Sequence, residues 1–395
     1  MQTDKILVSG TGCALADFLY SNVHFDSDVF SRYLSKKDGD GGLCPGKLVF
    51  TEELEKFAGR PYAEIIKELA GNREPDAVNI GGPGLVSMIH TAQLLDREDY
   101  EVKFYGSLGK DEIARTILNR VRTTPLDISN YLQVSERSSP FTDVFSDPNY
   151  DNGNGERTFV NNIGAAWDYL PPMIPEEFFH AHIVCFGGTA LVPHIHDNLT
   201  LLLKKARKHR CITVVNTVFD FRSEKANPHG AWPLGETEES FGLIDVLIMD
   251  HEEALRISGQ KSIKKAIDFF RDRQVISFVI THGANDLTAF SDGRFFEKTD
   301  PVLYPVSRMV TAEVRQAGDT TGCGDNFAGG IIASIARQRK YQENNFDFRQ
   351  AVALGVASGG FACSYLGGTF LEEYRGEKQA KIQQFLSDYL MQIGR

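Results

Sequence analysis

The sequence predicts an α/β protein: a doubly wound, mostly parallel sheet flanked by helices, with a small β lid. Three observations lead there. Short apolar runs alternate along the chain with segments of helical periodicity. Many of those runs stop at Gly, Asn, Asp or Thr, residues that end strands and open turns. Two stretches, 18–78 and 134–162, interrupt the alternation.

The apolar runs fall at 6–8, 102–105, 183–186, 212–215, 246–249 and 275–280, and each reads as a strand. Helical patterns lie at 85–95, 112–121, 197–209, 263–271, 327–337 and 350–365. Strand-helix-strand order implies parallel pairing with helices on both faces. Ligands of such sheets bind beyond the carboxyl ends of the strands, so chemistry is expected in the residues that follow them. The stretch 134–162 carries Phe141-Thr142-Asp143-Val144-Phe145, a turn-rich run over 147–155, and then Arg157-Thr158-Phe159-Val160. That is the pattern of a hairpin with a long tip. Inserted β segments in an α/β protein suggest a lid over a site; a surface decoration is the other reading. The expectation is one unit over 1–395, with the lid inside 18–55 and 134–162.

A length of 395 residues suits one large α/β unit. Hydrophobic residues at 42% and charged residues at 24% supply an ordinary globular core. The net charge of −11 repels phosphates, which disfavours nucleic-acid and anionic-membrane partners. Six cysteines are scattered without a CxxC pair, four of them within apolar runs, which fits reduced thiols in the cytoplasm. The N-terminus lacks the basic and apolar regions of a signal peptide. No run approaches the roughly 18 apolar residues that span a bilayer.

Chemistry concentrates in Asp319-Thr320-Thr321-Gly322-Cys323-Gly324-Asp325, a Gly-rich turn leading into a helical pattern. The amides of Gly322, Cys323 and Gly324 can converge on one anion at the helix N-terminus. Asp325 beside them can take a proton from an attacking hydroxyl while the amides steady a phosphoryl group. The same residues also fit a plain turn whose Asp complements the helix dipole.

The segment 319–330 resembles the C-terminal signature of the ribokinase-like (PfkB) carbohydrate kinase family, roughly D-T-T-G-A-G-D-x-F-x-x-G. The resemblance implies a ribokinase-like fold, ATP as phosphate donor, Asp325 as catalytic base, and Gly322, Cys323 and Gly324 as the anion hole. Cys323 stands where the family usually has Ala. Further parts follow in family order. Gly12 and Asp17, just after the first strand, resemble the early substrate-binding Asp. Asn79-Ile80-Gly81-Gly82 resembles the double-Gly signature, and Gly106 to Asp111 the strand ending in G-x-x-G-x-D. Arg157 resembles a residue of the lid strand near the sugar. Asp250-His251-Glu252-Glu253 resembles the N-x-x-E motif, and Thr281-His282-Gly283 the T-x-G turn at the nucleotide. Residues 43–49 resemble a lid segment of nucleoside-kinase-like branches.

The resemblance therefore implies acceptor contacts at Asp17, Asn79, Gly81, Gly82 and Arg157. It implies nucleotide contacts at Asn216, Thr281, Gly283 and Ser358. It also implies Mg2+ held through water near Glu253 and Asp250, a monovalent cation (K+) near Asp319 and residues 366–368, and homodimers paired through lid strands. Plain alternatives stand beside several of these. Asp17 and Asp319 also fit caps or turns, Gly81-Gly82 an entry into a helix, Glu253 an ordinary first-turn acid, and Thr281 to Gly283 a strand-ending turn. His282 also fits a neutral loop histidine. Val86 stands where the family usually has a substrate-touching Asn, and Asp250 replaces the Asn of N-x-x-E. Asn216 stands where the family often has Asp. A sugar kinase is the leading expectation and a nucleoside kinase the nearest alternative. A non-catalytic ligand-binding protein on the same fold is the alternative of another class.

Overall fold

The computed structural model describes residues 5–37, 39–134, 136–153, 155–313, 320–342 and 345–394. Its strands, in chain order, are β1 (Ile6–Gly12), β2 (Leu15–Tyr20), β3 (Leu48–Phe50), β4 (Ala77–Gly81), β5 (Tyr100–Leu108), β6 (Asp127–Gln133), β7 (Phe141–Asp147), β8 (Glu156–Asn162), β9 (Ile183–Gly187), β10 (Ile212–Asn216), β11 (Val246–Asp250), β12 (Ser277–His282), β13 (Asn285–Ser291) and β14 (Thr299–Tyr304). Among the described residues, nine strands form the main sheet, in the order β14-β13-β12-β11-β10-β9-β1-β5-β6. Neighbours from β12 through β6 run parallel, and β13 and β14 add an antiparallel edge. All six expected strands belong to this sheet.

Both faces of the sheet are covered, which is why its strands read as continuous apolar runs. Alternate side chains serve two cores. Cys185, Val214 and Ile248 enter one, with the helices Pro83–Leu94, Cys323–Arg339, Phe348–Ala362 and Glu377–Gln392. Val184, Val215 and Leu247 enter the other, with Leu199–Lys208, His251–Ser258 and Ile263–Asp272. Each such fully buried aliphatic side chain contributes about 1.5–3 kcal/mol. Local signals set the strand-to-helix joints. Gly82 (φ 90°) turns the chain into Pro83, which opens its helix where a missing N–H costs nothing. Asp111 caps Glu112–Val121 by accepting from the Ala114 amide at 2.8 Å.

A second sheet, in the order β3-β8-β7-β2-β4, draws on both interrupting stretches and on residues just outside them, since β2 starts at Leu15 and β4 ends at Gly81. The stretch 134–162 supplies the antiparallel pair β7 and β8, in register from Phe141 opposite Asn162 to Asp147 opposite Glu156. This sheet has its own core of Phe30, Leu54, Ile65, Phe145 and Val160. Asp17 follows the first strand closely. A second strand begins at Leu15, and Asp17 lies inside it, opposite Asn79 of β4 and Thr142 of β7. Only Cys13 and Ala14 separate β1 from β2, so the second sheet stands over the carboxyl end of β1. Among the described residues, no helix is long and apolar enough to cross a membrane.

Candidate active site

Register brings the strand ends together. Gly12 of β1 pairs with Gly187 of β9, which pairs with Asn216 of β10. Asp250 of β11 pairs with Thr281 of β12. The residues beyond these strands share one edge of the sheet.

The Gly-rich turn starts the helix Cys323–Arg339. Gly322 has φ 73°, and a Cβ there would lie 2.5 Å from the Gly368 Cα, so conformation and space both demand glycine. Gly324 is exposed, and a Cβ on it would meet nothing within 4 Å. The turn thus faces open space. Asp325 is the next residue and is half-buried. Burial pushes its carboxyl up to about 7. Its charge helps raise the buried Cys13 thiol, after burial itself, and the Asp17 charge raises the same thiol. It also contributes to raising the Glu253 carboxyl. Asp17 and Asp325 therefore both lie near Cys13, and Asp325 lies near Glu253.

Asp17 approaches the backbone of β4 closely. A Cβ on Gly81 would fall 2.2 Å from Asp17 Oδ2, so Gly81 makes room for that carboxylate. Asn79 packs its carboxamide on Gly367, where a Cβ would fall 2.0 Å from Asn79 Nδ2. Arg157 reaches from β8 to the Gly-rich turn, with Nη1 donating to Thr321 Oγ1 at 3.1 Å. Its guanidinium is therefore beside the turn.

Asp250 and Glu253 form a reciprocal cap on the helix His251–Ser258. The Glu253 amide donates to Asp250 Oδ1 at 2.7 Å, and the Asp250 amide to Glu253 Oε2 at 2.9 Å. Thr217, just past β10, donates its hydroxyl to the same Glu253 oxygen at 2.6 Å. Burial first, and the Asp250 charge second, push the Glu253 carboxyl up to about 8. Thr281 is the next-to-last residue of β12, and the exposed Gly283 follows His282, which ends the strand. His282 stacks on His251 with ring centroids 4.2 Å apart.

Three expectations change. Ser358 is fully buried, and its hydroxyl faces Gly330, where a Cβ would come within 2.5 Å of Ser358 Oγ. Its side chain has no surface to offer a nucleotide, and the expected contact there is withdrawn. Asn216 is 4% exposed and lies against Gly187, with an Oδ1 that receives no hydrogen bond from the protein; β10 reaches Glu253 through Thr217 instead. Val86 is buried beneath Gly368, so its departure from the family pattern is a packing change in the support of the turn. Asp319, the expected monovalent-cation ligand, lies outside the described residues.

Sequence reasoning missed the support under the turn. Asn326, next to Asp325, donates Nδ2 to the carbonyls of Gly322 and Gly368, both at 2.8 Å. Its Oδ1 accepts from Lys378 Nζ at 3.0 Å, from Tyr365 at 3.2 Å, and from His90 Nδ1 at 2.5 Å. Three donors on one oxygen fix the amide orientation, and they assign the proton of neutral His90 to Nδ1. Burial holds His90 well below its usual range and pushes the Lys378 ammonium down to about 7. Lys378 also donates to Gln93 Oε1 at 3.0 Å. The only sequence signal was the position of Asn326 inside the motif.

The pattern of the pfkB family carbohydrate kinase matches residues 69–373. This chain belongs to that family. The pfkB span takes in Gly81, Arg157, Glu253 and Asp325, while Asp17 precedes it. The ribokinase of Staphylococcus aureus (strain COL) is 22% identical over 331 residues, 81% of this chain and 89% of that protein. The ribokinase of Haemophilus influenzae is 26% identical over 290 residues, 71% of this chain and 82% of that protein. Among solved structures, adenosine kinase from Sinorhizobium meliloti is similar with a TM-score of 0.69 at 16% identity, over 96% of this chain and 99% of that one. The Arabidopsis thaliana ribokinase complexed with ribose and ATP is similar with a TM-score of 0.64 at 15% identity, over 97% and 98%. At these identities the structural likeness establishes the fold.

Proposed function

We propose that this pfkB protein transfers the terminal phosphate of ATP to a hydroxyl of a small sugar or sugar derivative, with Asp325 as general base. The observation that carries the reading is the Asp325 carboxyl, held near 7 beside the Gly-rich turn, where a Cβ on Gly324 would meet nothing within 4 Å. A base of that strength is half deprotonated near neutral pH, which suits removal of a hydroxyl proton as the new bond forms. The acceptor proton passes to Asp325, the acceptor oxygen bonds to the γ-phosphorus, and the bond to the leaving ADP oxygen breaks. The amides of Gly322, Cys323 and Gly324 stabilise charge on the group in transit, helped by the helix dipole. Arg157, already beside Thr321, adds positive charge there.

Asp17 accepts hydrogen bonds from acceptor hydroxyls, framed by Asn79, Gly81 and Gly82. Thr281 and Gly283 serve the nucleotide along the strand edge. The all-oxygen donor set at Asp250 and Glu253 suits Mg2+. Because Glu253 Oε2 already accepts two hydrogen bonds, the fit is to a metal held through water. Bound there, Mg2+ would neutralise phosphate charge. The second sheet acts as a lid that excludes water from the cleft. The solved Arabidopsis thaliana relative complexed with ribose and ATP supports the choice of donor and acceptor class.

The test is coupled ADP release across ketoses, aldoses, sugar acids, sugar phosphates and nucleosides. The proposal expects turnover with one sugar class. Turnover with nucleosides alone would replace the acceptor class, and no acceptor-dependent ADP release at all would overturn the phosphotransferase reading.

A further inference from the structure

We propose that Cys323 and Cys363 form a redox modification site, which a hydroperoxide closes into a disulfide that deforms the anion-binding turn. Their Sγ atoms stand 3.0 Å apart. A disulfide needs about 2.05 Å, so the bond asks for a shift of roughly 1 Å. Both thiols are partly exposed, whereas Cys13, Cys185 and Cys211 are buried. An oxidant in solution therefore reaches this pair in preference to those three.

The pair sits where a small displacement has large effect. Cys323 is the first residue of the helix Cys323–Arg339, and its amide belongs to the turn. Cys363 ends the helix Phe348–Ala362. Little slack surrounds them. A Cβ on Gly359 would come within 2.9 Å of the Cys323 carbonyl, and Gly322 is backed directly by Gly368. Pulling the two sulfurs together must therefore move the turn itself. A misplacement of about 1 Å in such a site can cost on the order of 100-fold in rate. The amide chemistry of the turn does not require a thiol at position 323, so the sulfur is available for a separate purpose.

The chemistry balances with a peroxide as oxidant. One thiolate attacks a peroxide oxygen, the O–O bond breaks, and the sulfur becomes a sulfenic acid as water leaves. The second thiol attacks that sulfur, the S–S bond forms, and a second water leaves. Two thiols lose two protons and two electrons, and hydrogen peroxide becomes two waters. A dithiol reductant reverses the bond by exchange.

The effect on phosphate binding rests on the proposed phosphotransferase reading; the disulfide itself does not. The experiment treats the full chain with hydrogen peroxide and maps non-reduced peptides by mass spectrometry. Binding of AMP-PNP and of ADP is measured by calorimetry before and after. The expected result is a Cys323–Cys363 cross-linked peptide about 2 Da below the sum of its thiols. AMP-PNP affinity should fall at least about tenfold and return with dithiothreitol, while ADP, which lacks the third phosphate, keeps its affinity. Cys363→Ser should bind AMP-PNP equally before and after peroxide. No cross-link, or a cross-link that leaves AMP-PNP affinity unchanged, would overturn the proposal. If the untreated protein binds neither nucleotide, the phosphotransferase reading fails, and the peptide map still decides whether the pair closes.

Discussion

At the scale of single residues, the candidate site gathers carboxyl groups in different surroundings. Asp325 is pushed up to about 7 by burial, so its folded value lies above its unfolded one. The stability it contributes is fully present below about pH 4 and is lost as pH rises through 7. Asparagine carries no charge, so the melting temperature of Asp325→Asn should gain on wild type between about pH 4 and 7 and hold that gain above 7. Melting curves across pH check this, and a constant offset would contradict it. Gly81 has a different duty, since a methyl group there would collide with the Asp17 carboxylate. Gly81→Ala should raise the acceptor KM about tenfold or more while leaving the ATP KM unchanged, as steady-state kinetics with both substrates would reveal. Asp325 was legible in the sequence because an acid beside a Gly-rich helix start carries its own chemistry. Ser358 was misread because the sequence does not say which face of its helix meets Gly330.

At the scale of elements, the helix Cys323–Arg339 is held by side chains from the helices Pro83–Leu94 and Glu377–Gln392 and from Tyr365, all meeting at Asn326. No local pattern announces such a cluster, because its members lie far apart in the chain. The buried Lys378 faces Glu372, Gln93, Asn326 and neutral His90, and burial lowers its ammonium from 10.5 to about 7. Between those values the unfolded chain binds the extra proton, so this group's contribution to stability rises with pH from about 7 toward 10.5. Wild type should therefore gain on Lys378→Met as pH rises from 7 to about 9.5. A melting difference independent of pH would show that Lys378 keeps an ordinary value. The strands β2 and β4 were also illegible. They are short, carry Asp17 and Asn79, and pair with partners distant in sequence.

At the scale of the whole molecule, a second sheet stands over the carboxyl end of β1. The main sheet was legible because buried parallel strands advertise themselves as apolar runs between helices. The second sheet was legible only as an interruption, since its strands, paired in both senses, mix polar and apolar residues. The short β1–β2 connection and the Arg157–Thr321 bond join it to the main body. Adding AMP-PNP and the acceptor together should slow hydrogen exchange in β7 and β8 more than in β9 to β12. Arg157→Ala should abolish that difference and lower kcat roughly 10- to 100-fold. Equal protection of both sheets would argue against closure.

The measurement that bears most directly on the central claim is the pH–rate profile of wild type beside Asp325→Asn, with ATP affinity measured in parallel. The account predicts wild-type turnover that rises through about pH 7. It predicts a variant whose kcat is lower by about 100- to 10,000-fold, with ATP affinity within a few-fold of wild type. A variant that turns over at the wild-type rate, with the same pH dependence, would contradict it.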